Sequence, residues 1–492
     1  MKALLVYPET PETFWSFKNA LKFISKKAAQ TPLGLLTVAA MLPRYWEIKL
    51  KDLNVTRLSD NDILWADYVF ISGMNIQSES FSQVVKRCNT FNRPVVAGGP
   101  MVTFNHDMFL GIDHLFIGEA ESTLPCFIQD LQNNCARRIY RATEYPDISA
   151  SPIPRWDILD MKKYASMDIQ YSRGCPFDCE FCSITKLNGR VPRIKSPEQF
   201  LAELDTLLSW GWRGDVFIVD DNFIGSRGIL KHAFLPALVR WQEEHRYPFR
   251  FTTEASINLA DDDMLVDLMV QAGFHSTFIG IETPNSDSLL ECGKIQNSKR
   301  DMLASVKKLM NSGLSVSGGF IVGFDNDPSS IFQDQIHFIK ESGIVTAMVG
   351  LLNAPRGTRL FKRLKQENRL IKPMTGDNMD GTINFIPKMD YKELIRGYRH
   401  ILHALYAPKP FFERSKKFIE EYALPVHNRI VIGKSEILAF VRSLFKLGCI
   451  ENGKRYYWRL LGFCIWRHPK KFSLAVTLMI YGYHFRKIAE SM

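Results

Sequence analysis

Residues 171–184 read YSRGCPFDCEFCSI, which sets Cys175, Cys179 and Cys182 within eight positions. The chain holds nine cysteines, and the other six, at 88, 126, 135, 292, 449 and 464, are scattered. An odd, dispersed set argues against a disulfide scaffold and for a reducing compartment. The triad therefore speaks of chemistry, and the sequence around it restricts which.

Downstream of the triad, short apolar runs alternate with helical patterns from about 166 to 356. SMDIQYSRG (166–174) leads into the cysteines, and VFIVDDN (216–222), FRFTTEASIN (249–258), STFIGIET (276–283), SVSGGFIVGF (315–324) and TAMVGLLNAP (346–355) read as further strands. Between them, Ser196-Pro197-Glu198-Gln199 predicts an N-cap, proline at N1 and a capping box, followed by an apolar face of Phe200, Leu204, Leu207 and Leu208. Other helices close at Gly273, Gly313 and Gly343, where a left-handed residue is expected. Six such units predict a partial (β/α)6 barrel whose working mouth lies at the strand C-termini. Asp220, Asp221 and Asn222, then Glu254 and Glu282, emerge there from apolar strands. Their repetition at equivalent places favours a site over loose surface acids.

Upstream, KALLVYP (2–8), EIKLKDLN (47–54), YVFISGM (68–74), PVVAGGP (94–100) and HLFIGEAE (114–121) alternate with helix-like PLGLLTVAAML (32–42) and SFSQVVKRCNTF (80–91). Apolar strands alternating with helices predict a doubly wound, flavodoxin-like parallel sheet. Ligands of such sheets lie outside the strand C-termini, where this chain carries Asn54, Ser72-Gly73, Gly98-Gly99 and Gly118-Glu119. EYPDISASPIPRW (144–156) has the proline and serine density of a linker. The expected division is 1–143, a linker at 144–165, the barrel at 166–376, and a mainly helical, basic domain at 377–492.

The 492 residues are 46% hydrophobic and 12% aromatic, as folded multidomain material should be. MKALLVYPETPETFW opens as a strand rather than a signal peptide. The longest apolar candidate, 472–485, is shorter than the roughly 18 residues a membrane span needs. A soluble or peripheral, cytoplasmic protein is expected. The net charge of +10 resides in residues 409–492, with 16 Lys/Arg against 6 Asp/Glu. RYYWRLLGFCIWRHPKKF (455–472) interleaves cations with Trp and Tyr, the composition of a segment that contacts a membrane surface peripherally. A helical cap with solvated charges is the plainer alternative; nucleic acid is not the expected partner.

Structural zinc would want a fourth Cys or His beside the triad, but the nearest histidines in sequence are His114 and His232. A [4Fe–4S] cluster suits the arrangement better, since three thiolates leave one iron open to a small molecule.

Cys175-x3-Cys179-x2-Cys182 after a first barrel strand, with Phe181 before the third cysteine, resembles the radical S-adenosylmethionine (SAM) enzymes. The likeness covers about 166–356. It implies SAM contacts at Phe181, Glu254, the GIE of Gly280–Glu282, and Ile321 within GGFIVGF (318–324), beside the mouth acids Asp220 and Asp221. VAGGP (96–100) and FIGEAE (116–121) are similar to the cobalamin-binding module that precedes many such barrels, which implies cofactor contacts at Asn54, Ser72, Gly73, Gly98, Gly99, Gly118 and Glu119. The chain departs from the Asp-x-His-x-x-Gly pattern: Asn54 stands where the axial histidine would be, and Arg57 replaces the glycine. FCSITKLNGRVPRIKSPEQFLAEL (181–204), FIVDDNFIG (217–225) and PLGLLTVAAMLP (32–43) look like the hopanoid C-2 methylase group. This resemblance implies a cobalamin-dependent methyltransferase acting on an unactivated carbon of a hopanoid or other lipid-like small molecule, with flavodoxin or ferredoxin as electron donor. The rivals are a radical rearrangement or cyclisation enzyme and a non-enzymatic cobalamin sensor, for which the triad would be useless. An RNA methylthiotransferase would need a second cysteine set, and only Cys88, Cys126 and Cys135 are available upstream.

Overall fold

The computed structural model describes residues 1–377, 380–425 and 433–492. Its first sheet contains β1 (Lys2–Tyr7), β2 (Glu47–Asp52), β3 (Tyr68–Ser72), β4 (Val95–Gly98), β5 (His114–Ile117) and β6 (Ile139–Arg141). The order is β2-β1-β3-β4-β5-β6, all parallel. The strand order turns back between β1 and β3, and a doubly wound sheet opens its ligand crevice at such a point. Helices α1 (Leu33–Met41) and α2 (Ser78–Thr90) belong to the two covering layers. Their buried residues differ in kind: Leu35, Leu36 and Ala39 on one, and Phe81, Val84 and Cys88 on the other. β6 lies on the edge of the sheet and was not anticipated; only three residues long, it gives almost no alternation to read.

The second sheet is built from β7 (Met167–Ile169), then, past the short β8 (Ser172–Arg173) and β9 (Arg193–Ile194), from β10 (Gly214–Ile218), β11 (Phe249–Ala255), β12 (Phe274–Glu282), β13 (Ser315–Val322) and β14 (Ala347–Leu351). The order β14-β13-β12-β11-β10-β7 is parallel throughout and does not close, so this is the expected partial barrel. The sequence joined β7 to β8 as one strand. In the structure Gln170 and Tyr171 separate them, and β8 pairs antiparallel with β9, bracketing the cysteine loop as a small hairpin.

Helix α3 (Pro197–Ser209) starts as read, with Ser196 Oγ accepting from Gln199 N at 3.1 Å. The reciprocal half of the capping box is replaced: Gln199 Nε2 donates to Ser151 O at 3.0 Å. That bond ties the barrel to the connector at 144–165. The connector is no free linker; it folds into short turns and buries Trp156 and Tyr164 almost completely.

Parts from both ends of the chain flank the β14 edge of this open sheet. Helices α4 (Tyr391–Tyr406), α5 (Pro408–Glu421), α6 (Lys434–Phe445), α7 (Lys454–Arg467) and α8 (Phe472–Glu490) form the C-terminal layer, and α4 packs on β14. Residues 13–24, from the N-terminal unit, pack on α8. Phe14 sits 5.1 Å from Phe485 and 5.5 Å from Tyr406, ring to ring, and Phe17 stacks on His484 at 5.4 Å. Held this way, the segment presents Trp15 to Phe278 of β12 at 4.9 Å.

Phe14→Ala removes a wholly buried ring and is expected to cost about 3–5 kcal/mol. Urea denaturation should show a lowered midpoint, and limited proteolysis should open the chain within 13–31. An unchanged midpoint would mean that this segment does not hold the N-terminal unit to the C-terminal layer.

Candidate functional site

The cysteine loop gets its shape from its own backbone and from two carboxylates of the neighbouring strand. Gly174 adopts φ +103°, Cys175 N donates to Gly189 O at 3.2 Å, and Cys182 N donates to Cys179 O at 3.1 Å. Asp221 Oδ2 accepts from Gly174 N and from Asn188 Nδ2, both at 2.8 Å. Asp220 accepts from Tyr171 N at 2.8 Å and Ser172 Oγ at 2.6 Å. These two acids, expected among the SAM contacts, thus organise the loop entrance. Burial lifts Asp220 to about 7, although the hydrogen bonds from Ser172 and Tyr171 oppose the shift.

All three thiols are raised by burial, Cys182 to about 12, while the Lys294 ammonium pulls each of them down. A set of soft sulfur donors enclosed with one cation fits a group that carries its own positive charge, as an iron–sulfur cluster does. Cys179 also lies 4.0 Å from Gln296 Nε2, and Glu180 N donates to Cys292 O at 2.7 Å. The loop 292–297 is therefore the second wall of the site.

Lys294 was missed by sequence reasoning, since a lone lysine in a loop carries no pattern. Its Nζ lies 2.6 Å from Glu282 Oε1. Glu282 is held in the left-handed region, φ +65°, where β12 and β13 shift register. Asn297 Nδ2 secures that bend through Gly280 O at 3.0 Å and Ile281 O at 2.9 Å. Gly280 leaves room for the pair: a Cβ at this position would press on the Glu282 carboxylate and the Lys294 ammonium. The GIE stretch is thus a backbone surface with an ion pair beside it.

Residues opposite one another in parallel strands share a face, which places Glu254, Phe278 and Ser317 in one row across β11, β12 and β13. The row is half-buried while the alternate residues Thr253, Ile279 and Gly318 are buried, so it faces the barrel interior. Ile321 is half-buried further along the same face of β13, and Phe181 reaches the end of that strand, 6.2 Å from Phe324. The Glu254 carboxylate makes no hydrogen bond or ion pair with any described residue. Burial, aided by Asp221 and Asp220, raises it to about 7.

The first sheet meets this mouth at its own strand ends. Arg173, two residues before Cys175, is bound by Glu119 at 2.5 Å and Glu121 at 2.8 Å, and Arg193 of β9 also binds Glu119 at 2.5 Å. Burial opposes ionisation of Glu121, yet Arg173 draws it down to about 2. Glu119, expected as a cobalamin contact, therefore gives both carboxylate oxygens to the barrel's arginines. Asn54 is likewise occupied: Oδ1 accepts from Thr10 N at 2.9 Å, and Nδ2 donates to Asp52 Oδ1 at 2.8 Å and Pro8 O at 3.3 Å. Ser72, Gly73, Gly98, Gly99 and Gly118 lie at or just beyond the C-terminal ends of β3, β4 and β5. Gly99, φ +89°, has no room for a Cβ against Ser72 Oγ, so this edge stays bare backbone.

Residues 25–128 match the B12 binding domain, 169–339 the radical SAM superfamily, and 358–492 a domain of unknown function (DUF4070). An uncharacterized methyltransferase of Synechocystis sp. is 39% identical, covering 100% of this chain and 92% of the relative. The hopanoid C-2 methylase of Rhodopseudomonas palustris is 33% identical over 87% of this chain and 81% of its own length. Among solved structures, the radical SAM methyltransferase TsrM from Kitasatospora setae, with cobalamin and a [4Fe–4S] cluster bound, superposes with a TM-score of 0.63. It shares 13% identity and covers 100% of this chain and 99% of that one. The cobalamin-dependent radical enzyme OxsB gives 0.62 at 13% identity, over 100% and 79%.

Asp221→Ala leaves Gly174 N without its acceptor and is expected to lower iron bound per chain after anaerobic reconstitution several-fold, with the far-UV spectrum unchanged. Full iron loading would remove Asp221 from the loop's support. For Glu254, the folded-state value near 7 lies above the ordinary 4.5. The folded form keeps a proton that the unfolded chain has lost between these values, so this residue's contribution to stability falls as pH rises through that window. The thermal midpoint of metal-free Glu254→Gln should exceed that of the parent more at pH ~8 than at pH ~5. An equal offset at both would rule out the shift.

Proposed function

The chain belongs to the radical SAM methyltransferases that carry an N-terminal B12-binding domain, and from this premise we propose that it methylates an unactivated carbon of a lipid-like, hydrocarbon-rich small molecule. The cofactors of this family are a [4Fe–4S] cluster, SAM and cobalamin. The observation that carries the substrate class is the barrel interior, where Phe278 is joined by Trp15 from the N-terminal unit. The 33% identity to a hopanoid C-2 methylase supports the same reading.

Cys175, Cys179 and Cys182 are assigned to the cluster. Gly280, Glu282 and Ile321, with Phe181, are assigned to SAM, and Lys294 offers its carboxylate a cation. Ser72, Gly73, Gly98, Gly99 and Gly118 are assigned to cobalamin, with Asn54 and Glu119 bracing the loops around it. When bound, the cluster supplies an electron to SAM, and the cobalamin carries the methyl group. Asp220 and Asp221 position the cysteine loop. Glu254, free of partners and raised to about 7, is the interior group able to hold a proton or bind a substrate or SAM hydroxyl. The aromatic and aliphatic lining excludes water from a carbon centre that has no polar handle. An electron donor such as flavodoxin or ferredoxin completes the system.

Protein reconstituted anaerobically, given reductant, methyl-labelled SAM and a hopanoid, should yield a product one labelled methyl heavier and release 5′-deoxyadenosine. Cys179→Ala should abolish both. Label-free products that keep the substrate's mass would point to rearrangement, and activity persisting in Cys179→Ala would defeat the assignment at its root.

A further inference from the structure

The C-terminal layer leaves an apolar face that no described part of the chain covers. On α6, Ile437, Leu438, Val441 and Phe445 recur at helical spacing and all are exposed, Phe445 to 67%. On α7, Trp458, Ile465 and Trp466 do the same, Trp466 to 88%. The two helices are joined: a π turn, Lys446–Ile450, with Ile450 also exposed, leads from α6 towards α7, and Trp458 Nε1 donates back to Gly448 O at 2.9 Å.

Cations surround this face. Residues 434–471 contain nine Lys and Arg against two acids. Both acids are engaged, Glu436 by Gly433 N at 2.8 Å and Glu451 by Lys446, Arg486 and Lys487. Lys434, Lys454, Arg459, Arg467 and Lys470 form no ion pair with a described residue. Arg459 lies over the Phe412 ring at 5.1 Å, its charge left outward of the aromatic layer.

We propose that this face docks on an anionic lipid bilayer, with α6 and α7 in the headgroup plane. Exposed Trp and aliphatic side chains within a ring of unpaired Lys and Arg suit the boundary where acyl chains meet negative headgroups. No described helix is long and apolar enough to cross a membrane, so the contact is peripheral. A second copy on the same face would oppose like charges, and a nucleic acid would leave the apolar stripe in water. The position also serves the barrel. Arg442 of α6 donates to Lys22 O and Phe23 O, both at 3.0 Å, which ties the docking helix to the segment that sets Trp15 against Phe278 of β12.

The test is flotation of the full chain with phosphatidylcholine vesicles, with and without phosphatidylglycerol, at low and high salt. Binding is expected only to the anionic vesicles and should weaken with salt. Arg459→Gln with Arg467→Gln should weaken it on the order of tenfold or more, at roughly fivefold per cation. Phe445→Glu with Trp466→Glu, both at exposed positions, should abolish it without altering the far-UV spectrum. The proposal is overturned by equal binding to neutral vesicles, by no binding to either, or by substitutions without effect. It is also overturned if Phe445→Glu with Trp466→Glu converts a dimer to a monomer in sedimentation, which would identify a second copy as the occupant.

Discussion

Arg173 is the residue on which the two halves of the site depend. It ends the strand before the cysteine loop, and its guanidinium is enclosed by Glu119 and Glu121 from the N-cap and first turn of the helix Ala120–Gln132 that follows β5. Arg193 completes the clamp from the other arm of the hairpin. The carboxylates are almost wholly buried, and removing one partner of such a pair leaves a charge without compensation, typically about 3–5 kcal/mol. The clamp therefore fixes which way the strand ends of the first sheet face. Without it the cysteine loop would be folded but not aimed.

A second constraint follows from the barrel being incomplete. Six parallel strands that stop short of closure leave an apolar seam, and water would enter it. The chain packs α4 on the β14 edge and residues 13–24 on α8 beside it, so both ends of the chain flank the open barrel. The N-terminal unit thus supplies more than a cofactor platform: through Trp15 it forms part of the chamber wall.

Charge at the mouth is distributed by task. Asp220 and Asp221 accept from backbone and side-chain donors of the loop, and Glu282 is neutralised by Lys294. Glu254 alone remains open, and its raised protonation follows from burial near two other acids. Acids that looked equivalent along the chain differ because their donors come from different elements.

The longer strands, the start of the helix at Ser196 and the cysteine triad were legible because they are local. Alternation, caps and covalent spacing are set by residues within a few positions of one another, and they marked out two parallel sheets and the cysteine loop. The partners were not legible. Glu119 reads as a residue beside a glycine, and only the fold brings to it an arginine 54 positions away. Lys294 beside Glu282 and Trp15 against Phe278 are of the same kind. Long-range contacts are selected by how the two sheets pack, and side-chain packing leaves no periodic trace in the chain that forms it.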